Sequence, residues 1–209
     1  MRLTPHVYSY GPHPLRSWLT DRIQGPRALD VGCASGFMGN LRPDVAWDGI
    51  DSFLPLGQDP PNYKRVVRAS VENFLASSPV ESSYDSILLS DVLEHLVDPL
   101  YVLHGLARHL TPGGKVVVSV PNVAHWSVRK DLLMGRWEYT DEGILDRTHL
   151  RFLTLATAAE LMRAGGYRIE SEYFPLSAPR GLRSFPRLTA RFPGLFSTHY
   201  AAVLSKTED

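Results

Sequence analysis

Two carboxylates and an imidazole crowd one short stretch, Ser90-Asp91-Val92-Leu93-Glu94-His95. Asp91, Glu94 and His95 stand at i, i+3 and i+4, a spacing that one helical turn gathers on a single face. Such a set can hold Mg2+ or a similar divalent cation, and His149, in Asp146-Arg147-Thr148-His149, offers a fourth ligand. The structural alternative, in which Glu94 and His95 only position the helix and its loop, is favoured here. A second chemistry is open to His125 and His149. An imidazole near its unperturbed pKa takes a hydroxyl proton at neutral pH, and Asp146 and Arg147 are placed to orient His149 or an acceptor. For either histidine, catalysis and simple anchoring of the chain are equally open. Cys33 is the only cysteine; small buried cysteines are common, and burial is expected of it rather than nucleophilic attack.

Strand-like and helix-like runs alternate along the chain, the pattern of an α/β fold with a mostly parallel sheet. Strands are expected at 27–32, 46–51, 64–70, 84–91, 114–122, 167–174 and 199–206. The fourth and fifth are nearly continuous apolar runs, as strands covered on both faces should be. Helices are expected over 13–23, from 36 to 41, and over 71–77, 98–110 and 154–162. Asp98 caps the fourth, Pro99 suits its first turn, and Leu100, Leu103, Leu106, Ala107 and Leu110 form an inward stripe. Thr111-Pro112-Gly113-Gly114 then turns the chain into the next strand. Residues 123–153 and 175–198 fit no simple α/β unit, and insertions of such length are usually functional.

Ala28 to Phe37 reads ALDVGCASGF: a strand pours into residues with almost no side chains. Small residues there let a ligand approach the backbone, and ligands of open α/β sheets bind at the carboxyl ends of the strands. Asp51, about twenty residues on, can accept hydrogen bonds from both hydroxyls of a ribose. Ser70, Val71 and Glu72 close the third strand and can flank an adenine. The spacing is G-x-A-x-G at 32, 34 and 36 rather than the dinucleotide G-x-G-x-x-G, and Asp30 suits a cationic ligand better than a diphosphate.

In order, LDVGCASG, GID, ASVENF, YDSILLSDVLEHLVDP and LTPGGKVVVSVPN resemble the successive motifs of class I S-adenosylmethionine-dependent methyltransferases over roughly residues 20–170. The resemblance implies a Rossmann-like seven-stranded sheet ordered 3-2-1-4-5-7-6, with the last strand antiparallel, and S-adenosylmethionine as cofactor. It places Asp30, Gly32, Cys33, Ala34 and Gly36 by the methionine part of the cofactor. Asp51 and Ser52 fall by the ribose, Ser70, Val71 and Glu72 by the adenine, and Ser90 and Asp91 on the sulfonium side. Ala34 departs from the commoner glycine, and residues 52–63 hold no convincing helix where the family usually has one. The metal set resembles that of small-RNA 3′-end and quinone O-methyltransferases. Residues 121–154 resemble a subgroup tied to sugar and cell-envelope methylation and the methionine-biosynthesis W protein. They are expected to roof the acceptor site.

The expected activity is therefore O-methylation of a sugar, glycan or other small polar metabolite. Two alternatives stand: a non-catalytic partner subunit of another enzyme, and a metal-dependent nucleic-acid or quinone methyltransferase. The 209 residues suit one domain, with 123–153 as a lid and 175–198 as a basic flap. Twenty-two basic residues balance 22 acidic ones, which disfavours a dedicated nucleic-acid binder. A lone cysteine fits a reducing compartment, and neither a signal-peptide core nor a membrane-length apolar run is expected, so the protein is expected to be cytoplasmic. From Tyr173 to Thr207 no acidic residue occurs, while Arg180, Arg183, Arg187 and Arg191 interleave with Leu182, Phe185, Leu188, Phe192 and Leu195. That segment, 180–192 above all, can meet an anionic lipid-linked acceptor or a membrane surface. The blander expectation is a solvated arginine face over a buried apolar one.

Overall fold

A computed structural model describes residues 14–77 and 83–207; residues 1–13, 78–82 and 208–209 lie outside it, the expected first residue of the first helix among them. The seven strands are β1 (Arg27–Val31), β2 (Ala46–Ile50), β3 (Tyr63–Val67), β4 (Tyr84–Ser90), β5 (Leu110–Pro121), β6 (Tyr167–Tyr173) and β7 (His199–Lys206). They form one sheet in the order β3-β2-β1-β4-β5-β7-β6. β7 runs antiparallel to both β5 and β6, and the other pairings are parallel. This is the architecture that the motif order implies.

The apolar runs of β4 and β5 feed two cores. Ile87, Leu89, Val116 and Val118 point to one face, where Phe74, Leu103, Leu106 and Met162 cover them. Leu88 and Val117 point to the other, with Leu15, Leu19, Met38 and Trp47. Side chains alternate across a strand, so a strand buried on both faces is apolar nearly throughout, and the buried Ser86 and Ser119 hydroxyls are hydrogen-bonded. The covering helices are α1 (Pro14–Thr20), α2 (Phe37–Leu41), α3 (Val71–Ser77), α4 (Pro99–Ala107), α5 (Trp126–Leu133) and α6 (Leu155–Ala164).

Helix ends follow their capping residues. The Asp98 carboxylate accepts the Tyr101 N–H at 3.0 Å. Thr154 and Thr157 form a reciprocal capping box that starts α6, and Gly166, at φ 86°, follows its end. α4 stops three residues short of its expected end. Leu110 already pairs with Tyr84, and the stretch after it is an irregular start to β5 rather than a free turn. The inward face of α4 is accordingly Pro99, Val102, Leu103, Gly105 and Leu106, with Leu100 and Ala107 half-buried. Gly105 belongs there because a Cβ would come within 2.6 Å of a Leu75 methyl. α1 also ends early, at Thr20, although Ile23 stays buried.

Two segments lie at the carboxyl edge of the sheet. Residues 123–153 contain α5 and then turns, pinned by an isolated bridge between Asn122 and Leu153. Residues 175–198 contain a single 3-10 turn (Arg180–Leu182), α7 (Pro186–Ala190) and α8 (Pro193–Phe196). Pro186 and Pro193 do not merely interrupt a helix: each occupies the first turn of a short one. No helix among the described residues is long and apolar enough to cross a membrane.

Gly49 in β2 decides how closely the first loop can sit on the sheet. A Cβ there would stand 2.6 Å from Cys33 Sγ and 2.9 Å from a Tyr63 ring carbon. Gly49→Ala should therefore lower unfolding stability by about 1–3 kcal/mol. Urea denaturation measures this, and Cys33→Ala in the same chain should recover part of the loss.

Candidate active site

The loop after β1 folds over the end of β2. The N–H groups of Gly32 and Cys33 both donate to the Ile50 carbonyl, at 2.8 and 3.2 Å. Gly32, Ala34 and Gly36 all adopt left-handed backbone, with φ of 74°, 43° and 75°. At Gly36 a side chain is also barred by space, since a Cβ would lie 2.3 Å from Pro60 Cβ. Ala34 carries the same conformation with a methyl group, at a cost of about 1–2 kcal/mol. Its N–H donates to Asp51 Oδ2 at 2.9 Å, and Asp51 Oδ1 accepts the Phe53 N–H at 2.7 Å. Each carboxylate oxygen keeps a second acceptor direction, and Asp51 is only half-buried. Asp51 thus locks the loop and can still receive ribose hydroxyls. Gly32, Ala34 and Ser52 are exposed around it.

Beneath the loop lies a sealed polar layer. Asp30 is only 2% exposed, and the Tyr63 hydroxyl donates to its Oδ2 at 2.5 Å. Burial pushes the Asp30 pKa up to about 7, against the lowering effect of the Tyr63 hydrogen bond and with a smaller push from the Asp51 charge. Its side chain lies under the loop rather than on the loop's exposed surface. Burial, then the charges of Asp30 and Asp51, drive the Cys33 thiol far above its usual range, so it stays protonated and packs as a small apolar group. Farther along the edge, Ser70 Oγ accepts the Asn73 N–H at 3.2 Å at the start of α3, and Val71 is buried while Glu72 is half-exposed.

The Ser90–His95 stretch departs from a single helical turn. Asp91 adopts left-handed backbone at φ 56°, and only Leu93–His95 is helical, as a 3-10 turn. That break separates Asp91 from Glu94 and His95. The Asp91 carboxylate instead accepts the Ser119 hydroxyl at 2.8 Å and stands 3.8 Å from His199 Nε2. Of the four expected metal ligands, three come together: donor atoms of Glu94, His95 and His149 all lie within 4.8 Å of one another. Asp91 is outside that group.

Glu94 is 1% exposed, and neither carboxylate oxygen has a hydrogen-bond partner among the described residues. Burial foremost, then the Asp91 charge, holds its pKa well above the carboxylate range. His149 Nε2 faces Glu94 Oε1 at 3.9 Å, while burial and neighbouring His95 lower the His149 pKa. Both shifts disfavour an ion pair between them. His149 Nδ1 donates to the Ile144 carbonyl at 3.1 Å, and His95 Nδ1 lies 3.2 Å from the Thr148 carbonyl. Both rings thus keep Nε2 without a partner of that kind.

The other expected catalytic groups are more committed. His125 is buried; its Nε2 donates to the Ser177 carbonyl at 3.0 Å, and its Nδ1 lies 2.7 Å from Ser127 Oγ. Burial lowers its pKa. It caps α5 and ties that helix to the 175–198 segment. Asp146 Oδ1 accepts the Thr148 N–H and hydroxyl, at 2.7 and 2.6 Å, and so shapes the turn that carries His149 without touching its ring. Arg147 pairs with Asp141 at the surface. His199 was not singled out from the sequence. It opens an antiparallel strand, which brings its imidazole to the carboxyl edge, and the strand order that the motifs imply was the available signal.

A family model described as a methyltransferase domain matches residues 9–172. Among curated proteins, the chain is 28% identical to the ubiquinone biosynthesis O-methyltransferase of Aeromonas salmonicida, over 79% of this chain and 76% of that protein. It is 33% identical to the protein of the same name from Paracidovorax citrulli, over 53% of this chain and 51% of that one. The chain thus spans about half the length of this second relative. Among solved structures, a SAM-dependent methyltransferase from Archaeoglobus fulgidus matches with a TM-score of 0.65 at 18% identity, covering 91% of this chain and 94% of that one.

Asp30 sets a pH dependence. Its folded pKa of about 7 exceeds the 3.8 expected of a free Asp, so the protonated form is favoured in the folded chain. The stability linked to this group is complete below about pH 4 and is lost as pH rises towards 7. Asp30→Asn should remove that decline, and melting temperatures of the two proteins across pH 4–8 will converge at the acid end and part at the neutral end.

Proposed function

The chain belongs to the class I S-adenosylmethionine-dependent methyltransferases, and we propose that it methylates a hydroxyl oxygen of a small acceptor. The acceptor oxygen attacks the methyl carbon in line with the sulfur. The C–S bond breaks, its electron pair stays on sulfur as a neutral thioether, and the hydroxyl proton passes to a base. The protein's main contribution is alignment of the reacting atoms. The observation that carries this reading is the exposed left-handed loop at Gly32–Gly36, locked by Asp51.

The choice of oxygen draws support from the O-methyltransferase names of the relatives. Those names lend no support to the sugar acceptor expected from the sequence, so the acceptor class is kept at a hydroxyl compound. A groove of about 490 Å3 beside α5, lined by Val128, Asp131, Arg136, Glu138, Ile144 and Leu145, offers it space. Ile144 also holds the His149 ring, which sets that groove beside the imidazole cluster. For the proton, His199 is our candidate base: it is half-buried, with Nδ1 3.0 Å from Thr198 Oγ1 and Nε2 3.8 Å from Asp91, whereas both nitrogens of the buried His125 are held by Ser127 and Ser177.

A second reading adds a divalent cation at Glu94, His95 and His149. It is favoured by the buried Glu94 carboxyl, whose two oxygens lack hydrogen-bond partners among the described residues, and by two imidazoles with ring nitrogens near enough to share an ion with it. One carboxylate with two imidazoles suits Mn2+, Fe2+ or Zn2+ better than Mg2+. A bound ion would supply positive charge that favours the ionised form of an acceptor hydroxyl.

Calorimetry with S-adenosylhomocysteine should give binding that Asp51→Ala weakens by about tenfold or more. Release of S-adenosylhomocysteine, followed over a panel of phenolic and sugar hydroxyl acceptors, should identify a substrate. On it, His199→Ala should lower kcat about 100-fold with cofactor affinity unchanged. Binding without turnover on any acceptor would instead favour the regulatory-partner role.

Thermal melts in Mn2+ or Zn2+ test the second reading without any acceptor. A rise in Tm that Glu94→Gln abolishes supports the cation, and no rise in either metal removes it.

A further inference from the structure

We propose that the 175–198 segment docks the protein on an anionic phospholipid surface, with the active-site crevice beside the contact. Four observations meet there. From Tyr173 to Thr207 the chain has no acidic residue, although the whole chain is neutral. Arg180, Arg183, Arg187 and Arg191 are all exposed, and none forms an ion pair among the described residues. Arg183 alone is tethered, its Nε donating to the Ala178 carbonyl at 3.1 Å.

Three of the apolar side chains between these cations stay outside, while Leu182 and Leu195 are half-buried. Phe185, Leu188 and Phe192 are 57%, 47% and 51% exposed, contrary to the solvated arginine face over a buried apolar one that the sequence favoured. Leu188 lies within α7, Phe185 precedes its first turn and Phe192 precedes that of α8, so the three exposed groups fall within eight residues of chain, where Thr189 is the buried residue of α7. Arg187 and Arg191, four apart, form a neighbouring row. Apolar side chains beside unpaired cations are the composition of an interfacial lipid-binding surface. The three large apolar groups favour a bilayer over a nucleic acid, whose backbone would ask only for the charge.

The platform is held in place at its base. Asn122, at the end of β5, donates through Nδ2 to the carbonyls of Ser197 and Gly194, at 2.8 and 3.1 Å. The Ser177 N–H donates to Phe196 at 2.7 Å, and the Ser177 carbonyl receives both His125 Nε2 and Trp126 Nε1. His199, two residues past Ser197, faces Asp91. The docking face and the crevice are therefore parts of one edge of the sheet, so a hydroxyl acceptor carried in the lipid would have a short path to the site.

Cosedimentation of the full chain with vesicles, in the absence of cofactor and acceptor, tests this. Phosphatidylcholine vesicles containing phosphatidylglycerol should bind the protein, and pure phosphatidylcholine should bind it about tenfold less or weaker. Arg187→Gln with Arg191→Gln should weaken anionic binding about 25-fold, since each cation at such a surface contributes about fivefold. Added salt should weaken it likewise. Phe185→Ser with Phe192→Ser should weaken it about tenfold at unchanged charge. All four positions are exposed, so the melting temperatures should stay put. The proposal is overturned if anionic vesicles do not bind, if both lipid compositions bind equally, or if the phenylalanine variant binds like the parent. The last outcome, joined with RNA binding lost in the arginine variant, would assign the face to nucleic acid. S-adenosylhomocysteine calorimetry on the same variants reads the methyl-transfer site separately.

Discussion

Everything at the active edge depends on how closely three strands of main chain can approach one another at the end of β1. The loop lies flat on β2 because Gly49 leaves room for Cys33, and Gly36 leaves room for Pro60. The Tyr63 ring packs against Gly39 and Gly49 and reaches Asp30 with its hydroxyl. Asp51 then closes the arrangement by receiving the Ala34 N–H. The small residues thus leave bare main chain on their exposed side, and their buried side admits the protein's own side chains. An aromatic ring seated on glycines gives the left-handed loop a rigid floor, which is what a preorganised cofactor site requires.

Three buried carboxyls show how the same group is used differently across the sheet, Asp48 towards its amino edge and Asp30 and Glu94 towards its carboxyl edge. Asp48 receives the Tyr84 hydroxyl at 2.9 Å and Arg27 at 3.4 Å, and its environment resembles an ordinary satisfied pair. Asp30 has the Tyr63 hydroxyl and no cation, and it responds with a pKa near neutrality. Glu94 has neither: His149 Nε2 stands 3.9 Å from it, and neither of its oxygens has a hydrogen-bond partner among the described residues. A buried polar group without a hydrogen bond is expensive, and such groups concentrate where a site awaits something the chain itself does not supply. From Asp48 through Asp30 to Glu94 the hydrogen-bond partners of the buried carboxyl fall away one by one.

The two long segments are cross-linked rather than independent. His125 and Trp126 from one meet Ser177 of the other, and Asn122 binds the far end of the same stretch. An imidazole that is attractive as a base in isolation becomes a hinge pin once both nitrogens are occupied. The reverse holds for His199, which looks like a routine strand residue until β7 brings it opposite Asp91.

Local chemistry made much of this legible. The apolar runs of β4 and β5, the Asp98 and Thr154 caps and the small residues after β1 each express their role within a few positions, and the motif order carried the strand order. The errors were also local in kind. α4 was drawn too long because Leu110 fits a helical stripe, yet its partner is Tyr84 on a neighbouring strand. Asp91, Glu94 and His95 were placed on one turn because their spacing allows it, yet the left-handed Asp91 breaks that turn. Periodicity along a chain reports which faces are apolar, and so the sequence alone indicated the strands and the helices that cover them, while the strand order came from the resemblance of its motifs to a known family. Which imidazole is tied down, which carboxyl is left bare and which phenylalanines face outward were decided only by tertiary structure. Those states depend on partners supplied from afar, such as Ser177 at His125 and Thr148 at His95, separated by 52 and 53 residues, and no pattern of nearby residues encodes them.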